Sequence, residues 1–204
     1  MHSFFSSDSE APTEEMVKRA VELGLPAICL TDHYDMDYST GEFQLDTPKY
    51  AEKIRELQEK YREKIEIRFG VELGLQLHLK ERMEKYVTMW PFDYIIGSMH
   101  VIDGKDPYYE DAFPDWTAEE LYRAYFRATA ENIRSFHHFQ TLGHLDYVVR
   151  YGKEKGRDYS YRTFSDEIDA ILKELIRYDI ALEINTGGYK AGLGVPNPTP
   201  DVIR

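Results

Sequence analysis

The chain has 204 residues, enough for one domain that buries its core without disulfide or metal staples. It is 42% hydrophobic and 30% charged, as ordinary globules are, and no apolar run approaches the ~20 residues needed to span a bilayer. A formal net charge of −12 argues against a nucleic-acid-binding face and repels phosphorylated ligands unless metal ions reverse the local sign.

Met1 leads into His2-Ser3-Phe4-Phe5 with no basic n-region, so no signal peptide is read. A helix is expected over 12–24, with Thr13 as N-cap, Met16, Ala20 and Leu23 on one face, and Gly24 as its stop. Residues 27–32 form a short apolar run ending in Asp32-His33, the pattern of a buried strand. Cys29 lies inside that run as a small core residue, and a single cysteine suits a reducing cytoplasm. An acidic, aromatic loop over 34–46 precedes a helix opened by Thr47 as N-cap and Pro48 at N1, running to about Lys64. Residues 65–72 alternate as a strand does, 79–88 read as a short helix, and 92–96 form a third strand before Gly97-Ser98-Met99-His100. After a loop over 102–116, Thr117 and Glu120 fit a capping box on a helix reaching about His137. Strands at 139–142 and 180–185 flank a helix over 165–178, and the proline-rich tail 195–200 is neither helix nor central strand. This alternation of β and α implies parallel strands in a sheet or barrel.

The strand ends carry the chemistry. Strand one ends at Asp32-His33, strand two at Glu72, strand three at His100 and strand four at His144. In a parallel barrel such ends share one face, and the first loop offers His2 and Asp8 to the same place. Imidazole and carboxylate are the ligands of hydrolytic Zn, Mn or Fe sites. His78 and His137-His138 read instead as surface or helix-end residues.

The motifs His2-Ser3-Phe4-Phe5-Ser6-Ser7-Asp8, Thr31-Asp32-His33, Gly70-Val71-Glu72, Gly97-Ser98-Met99-His100 and Gly143-His144-Leu145-Asp146 resemble, in that order, those of the polymerase and histidinol phosphatase (PHP) family. The resemblance implies an α/β fold, a distorted seven-stranded (β/α)7 TIM-like barrel. It also implies two to three divalent metal ions held by His2, Asp8, His33, Glu72, His100 and His144, with Glu72 bridging. His33, Glu72 and His100 become the catalytic centre. The first histidine of the family's His-x-His would precede Met1, and its closing Asp-x-His would follow Arg204. The chain therefore reads as a single domain lacking the first and last strands, the middle of a longer protein.

Two stretches, residues 97–104 and 119–126, resemble the histidinol-phosphatase branch. The implied reaction is hydrolysis of a small phosphorylated amino-alcohol, L-histidinol phosphate, in histidine biosynthesis, by a hydroxide held between metals. Arg150 and Lys190, each after a barrel strand, are the phosphate-binding candidates, and Asp32 is a candidate orienter of the ligands. Alternatives are a PHP phosphatase or phosphodiesterase with another substrate, or a metal-poor module without activity. Nucleic acid and membrane are not expected partners; oligomeric state is not legible.

Overall fold

The first predicted strand, 27–32, stops at Leu30, and a second short strand follows after Thr31-Asp32. In the computed structural model, which describes residues 1–109, 111–151, 156 and 159–204, β1 is Ala27–Leu30 and β2 is His33–Tyr34. Both pair in parallel with β3, Glu66–Gly74: β1 from Ala27↔Glu66 to Leu30↔Phe69, β2 through His33↔Glu72 and Tyr34↔Leu73. The described residues thus form six strands where apolar runs predict five, because a two-residue strand shows no periodicity.

The chain divides into two units, Met1–Gly74 with Lys85–Ile96, and Leu75–Glu84 with Gly97–Arg204. In the first, α1 (Thr13–Glu22) and α2 (Thr47–Tyr61) join β1, β2 and β3. The start of β4 (Tyr94–Ser98) lies beside β3, where Asp93 N donates to Phe69 O at 2.7 Å and Phe69 N to the Asp93 carboxylate at 2.8 Å. α2 covers β3 with Tyr50, Ile54 and Leu57, each at most 1% exposed and each worth roughly 1.5–3 kcal/mol on burial. The Tyr50 hydroxyl donates to Gly70 O at 3.1 Å, so the ring's polar tip is satisfied inside the core.

Two caps sit one residue earlier than the sequence suggests. Pro12 is the N-cap of α1, and Thr13 turns inward to donate to Ser3 Oγ at 3.1 Å. Asp46, whose carboxylate accepts from Lys49 N at 3.3 Å, caps α2, which leaves Pro48 at N2. The buried face of α1 is Thr13, Val17 and Ala20; of the predicted stripe Ala20 is buried as expected, Val17 takes the place of Met16, and Leu23 is 58% exposed. Gly24, at φ +68°, ends the helix as expected.

The second unit holds the end of β4, then β5 (Thr141–Leu142) and β6 (Ala181–Leu182), the last two paired in parallel. β6 is shorter than the predicted 180–185 strand, and Ile184 is 58% exposed. α3 (Lys80–Met89) begins after a 3-10 turn at Leu77–Leu79. The predicted capping box is present on α4 (Ala118–Ser135): Thr117 Oγ1 accepts from Glu120 N and the Glu120 carboxylate accepts from Thr117 N. One residue of the preceding loop, Glu110, lies outside the described residues. α6 (Gly187–Lys190) and α7 (Pro200–Ile203) are single turns.

α4 packs on α5 (Ser165–Tyr178), and Glu167, only 8% exposed, takes hydrogen bonds from Arg123 at 2.9 Å and Arg127 at 3.1 Å. Burial pushes the Glu167 carboxyl up, but the two guanidinium partners more than offset this and hold it below its ordinary value. The unfolded chain therefore binds more protons near that value. Glu167 contributes stability above the ordinary carboxylate pKa, and this is lost as pH falls through the lower folded value. Glu167→Gln should cost about 1 kcal/mol at neutral pH and less in acid. Urea denaturation of both proteins at pH 7 and pH 3 measures the difference; an equal deficit at both pH values would refute it.

Candidate metal centre

β3 and its neighbours assemble the first group of ligand side chains. The register that pairs His33 with Glu72 brings an imidazole beside a carboxylate, with His33 Nδ1 at 4.0 Å from Glu72 Oε1. The loop before α1 supplies two more. His2 Nε2 lies 2.9 Å from Glu72 Oε2, and His2 Nδ1 lies 3.0 Å from Asp8 Oδ2. His33 Nε2 is 3.7 Å from that same Asp8 oxygen, and the two imidazole rings meet edge to face at 4.2 Å.

The loop is stapled down by the strand-end aspartate. Asp32, fully buried, accepts from Ser3 N at 2.6 Å and from Ser3 Oγ at 3.0 Å. Ser6 Oγ in turn accepts from His33 N at 2.7 Å. Asp32 thus holds Ser3, the chain neighbour of His2, and Ser6 holds the backbone of His33.

Charge in this group is dominated by the carboxylates. Burial alone would lower the His2 pKa, but hydrogen bonds to Asp8 and Glu72 outweigh it and raise the value to about 9. Burial pushes Asp8 up, and the His2 hydrogen bond with the His33 charge reverses this, leaving it below its ordinary value. Carboxylates that hold a proton on a buried imidazole attract a divalent cation by the same field. Ligand atoms of His2, His33 and Glu72 all lie within 4.8 Å of one another, so these residues fit a divalent ion by donor type and spacing.

The second unit carries the remaining candidates. His100 follows β4 and His144 follows β5; both are buried, with ring centroids 5.3 Å apart. Tyr147 packs on both rings, at 4.9 Å from His144 and 5.5 Å from His100. Arg150 lies over the ring of Tyr147, its guanidinium 5.5 Å from the ring centroid. Lys190 closes α6 and is exposed. His78 is exposed, and His137 stacks on Tyr178 at 3.9 Å, so neither is drawn to a cluster.

Asp35 is the residue that strand-end reasoning passes over. It is 2% exposed, and its carboxylate lies 3.5 Å from His33 Nδ1. Its spacing of two from His33 is the available signal, since alternate residues of extended chain share a face. Gly74 makes the room: a Cβ there would collide with the Asp35 carboxylate.

Parallel strands that end in buried imidazoles and carboxylates define an α/β protein of the metal-binding hydrolase class. The chain belongs to the PHP domain family, whose family model matches residues 1–187. It is 34% identical to the histidinol-phosphatase of Lactococcus lactis, over 91% of this chain and 69% of that protein. A Clostridium acetobutylicum relative, described as a probable histidinol-phosphatase, is 32% identical over 91% of this chain and 71% of its own. In fold, the chain is similar to a crystal structure of the Lactococcus lactis histidinol phosphate phosphatase complexed with zinc, L-histidinol and phosphate. The TM-score is 0.88, over 93% of this chain and 73% of that one. The PHP-type α/β fold implied by the motif resemblance is therefore the fold of this chain.

Proposed function

We propose that the chain is a metal-dependent phosphomonoesterase that hydrolyses L-histidinol phosphate to L-histidinol and phosphate. The observation that carries this reading is the His2–Asp8–His33–Glu72 cluster, found in a chain 34% identical to a histidinol-phosphatase. Residues 1–204 belong to a single PHP metallophosphatase domain. His2, Asp8, His33, Glu72, His100 and His144 hold two to three divalent ions, with zinc, manganese and iron matching the donors. Bound divalent ions supply positive charge against the phosphoryl oxygens and make water acidic enough to act near neutral pH.

The protein's own groups do the rest. Asp32 and Ser6 hold the ligand-bearing segments in place before substrate arrives, so little reorganisation is left for the reaction. Arg150 takes the phosphate oxygens through its planar fork, and Lys190 adds a second, exposed cation. These cations matter in a chain of net charge −12, which would otherwise repel the substrate. The same charge supports a small-molecule substrate over nucleic acid. Among the described residues no helix is long and apolar enough to cross a membrane, and the proposed reaction places the protein in histidine biosynthesis in the cytoplasm.

Phosphate release from L-histidinol phosphate, measured before and after chelation on protein of known metal content, tests the proposal. Release should fall at least about a hundredfold on chelation, return with zinc or manganese, and be absent in His100→Ala. Faster release from an unrelated phosphomonoester would overturn the substrate, and release insensitive to metal removal would overturn the chemistry.

A further inference from the structure

Arg150 is gripped without being neutralised. Its Nε donates to Asn197 Oδ1 at 2.7 Å, and its Nη2 donates to Asn185 Oδ1 at 3.0 Å. Each amide then turns its nitrogen to a carboxylate. Asn197 Nδ2 donates to Asp146 Oδ1, and Asn185 Nδ2 donates to Glu183 Oε2 at 3.1 Å. The orientation of both amides follows from chemistry. A guanidinium only donates and a carboxylate only accepts, so the amide oxygen must face the arginine and the nitrogen the acid.

Both relays are anchored in the backbone of the site. Glu183 also accepts from His144 N at 2.9 Å, and Asp146 accepts from Thr199 N at 3.0 Å. Asn185 Oδ1 takes a second bond from Gly187 N at 2.7 Å. A Cβ on Gly187 would stand 2.9 Å from Arg150 Nη2, so glycine keeps the space the guanidinium occupies. Among the described residues no carboxylate bonds Arg150 directly. A direct bond to Asp146 or Glu183 would hold the side chain equally well but cancel its charge. An interposed amide holds it and leaves the charge to an incoming anion.

We propose that Asn185 and Asn197 are positioning residues: two neutral spacers that fix Arg150 for the phosphate group while insulating it from Asp146 and Glu183. The proposal deepens the reading of Arg150 as a phosphate ligand and rests on it. Neither asparagine touches the reacting atoms; both act through the guanidinium.

The test is calorimetric titration of inorganic phosphate into the zinc-loaded protein, with the melting temperature recorded for each variant. Asn185→Ala should weaken phosphate binding about tenfold and move the melting temperature by no more than about 3 °C. Arg150→Ala should weaken it at least as much. In the double variant, Asn185→Ala should add less than twofold, because its whole effect passes through the arginine. Asn197→Ala should weaken binding similarly; it is fully buried, so Asn185 carries the test if that variant does not fold. An Asn185→Ala affinity within twofold of wild type would overturn the proposal. So would effects that multiply in the double variant, or an Arg150→Ala protein that binds phosphate normally. Any of these in a protein that still releases phosphate from L-histidinol phosphate removes the relay and leaves the function. A wild-type protein that neither binds nor releases phosphate removes both.

Discussion

Glu72→Ala is expected to empty the protein of bound metal and to lower phosphate release by more than about a thousandfold. Glu72 and Asp8 both meet the two histidines of the first cluster, and Glu72, at 2.9 Å from His2 and 4.0 Å from His33, is the buried one of the pair. Its side chain is 7% exposed, so no carboxylate from bulk solvent can take its place. Its loss leaves His2 with Asp8 alone, a carboxylate 42% exposed and screened by water. Glu72→Asp retains the charge but retracts it by one methylene, and should fall between alanine and wild type. Elemental analysis of the purified variants beside their rates decides the matter. A Glu72→Ala protein with wild-type metal content and a rate within tenfold would remove Glu72 from the site.

The second large effect is expected at a residue that holds no metal. Asp32→Ala strands two buried donors, Ser3 N and Ser3 Oγ, at a cost of about 2–4 kcal/mol. It also frees the segment that presents His2, and loss of such an orienting group typically costs about 10–100-fold in metal affinity. Asp32→Asn keeps one acceptor oxygen and the shape of the side chain, so it should recover part of the stability. Urea denaturation of the metal-free proteins and zinc titration of each separate the two effects. Unchanged stability and unchanged zinc affinity in Asp32→Ala would show that the loop is fixed by other contacts.

The strand ends were legible because a buried parallel strand reads as an apolar run, and a polar residue directly after it stands out. His33, Glu72, His100 and His144 were found that way, and the structure pairs His33 with Glu72 in β-sheet register. His2 and Asp8 have no such local signal: a histidine in a serine-rich loop is unremarkable without its partner 70 positions away. Their place in the first loop made them only possible companions of the strand ends, and the family resemblance made them ligands. The Arg150 relays lay beyond sequence reading for the same reason, since they join Arg150 to residues 35 and 47 positions on. Helix caps slipped by one residue at Thr13 and Thr47 because threonine serves equally as cap and as first-turn residue. At Thr13 the inward hydrogen bond to Ser3 decides, and no local rule contains it.

Cys29 gives β1 a property of a different kind. Its thiol, half-buried in the strand, is pushed up to about 11 by burial, with its sulfur set against the space that Gly70 leaves clear. Alkylating reagents attack the thiolate, which at neutral pH is almost absent while β1 stays paired with β3. Openings that release the strand return the thiol toward its ordinary value, so labelling quickens as the population of those openings grows. The only sulfhydryl of the chain is thus an internal clock on the pairing of β1 with β3, just upstream of the β2 step that sets His33 beside Glu72, readable without introducing a foreign probe.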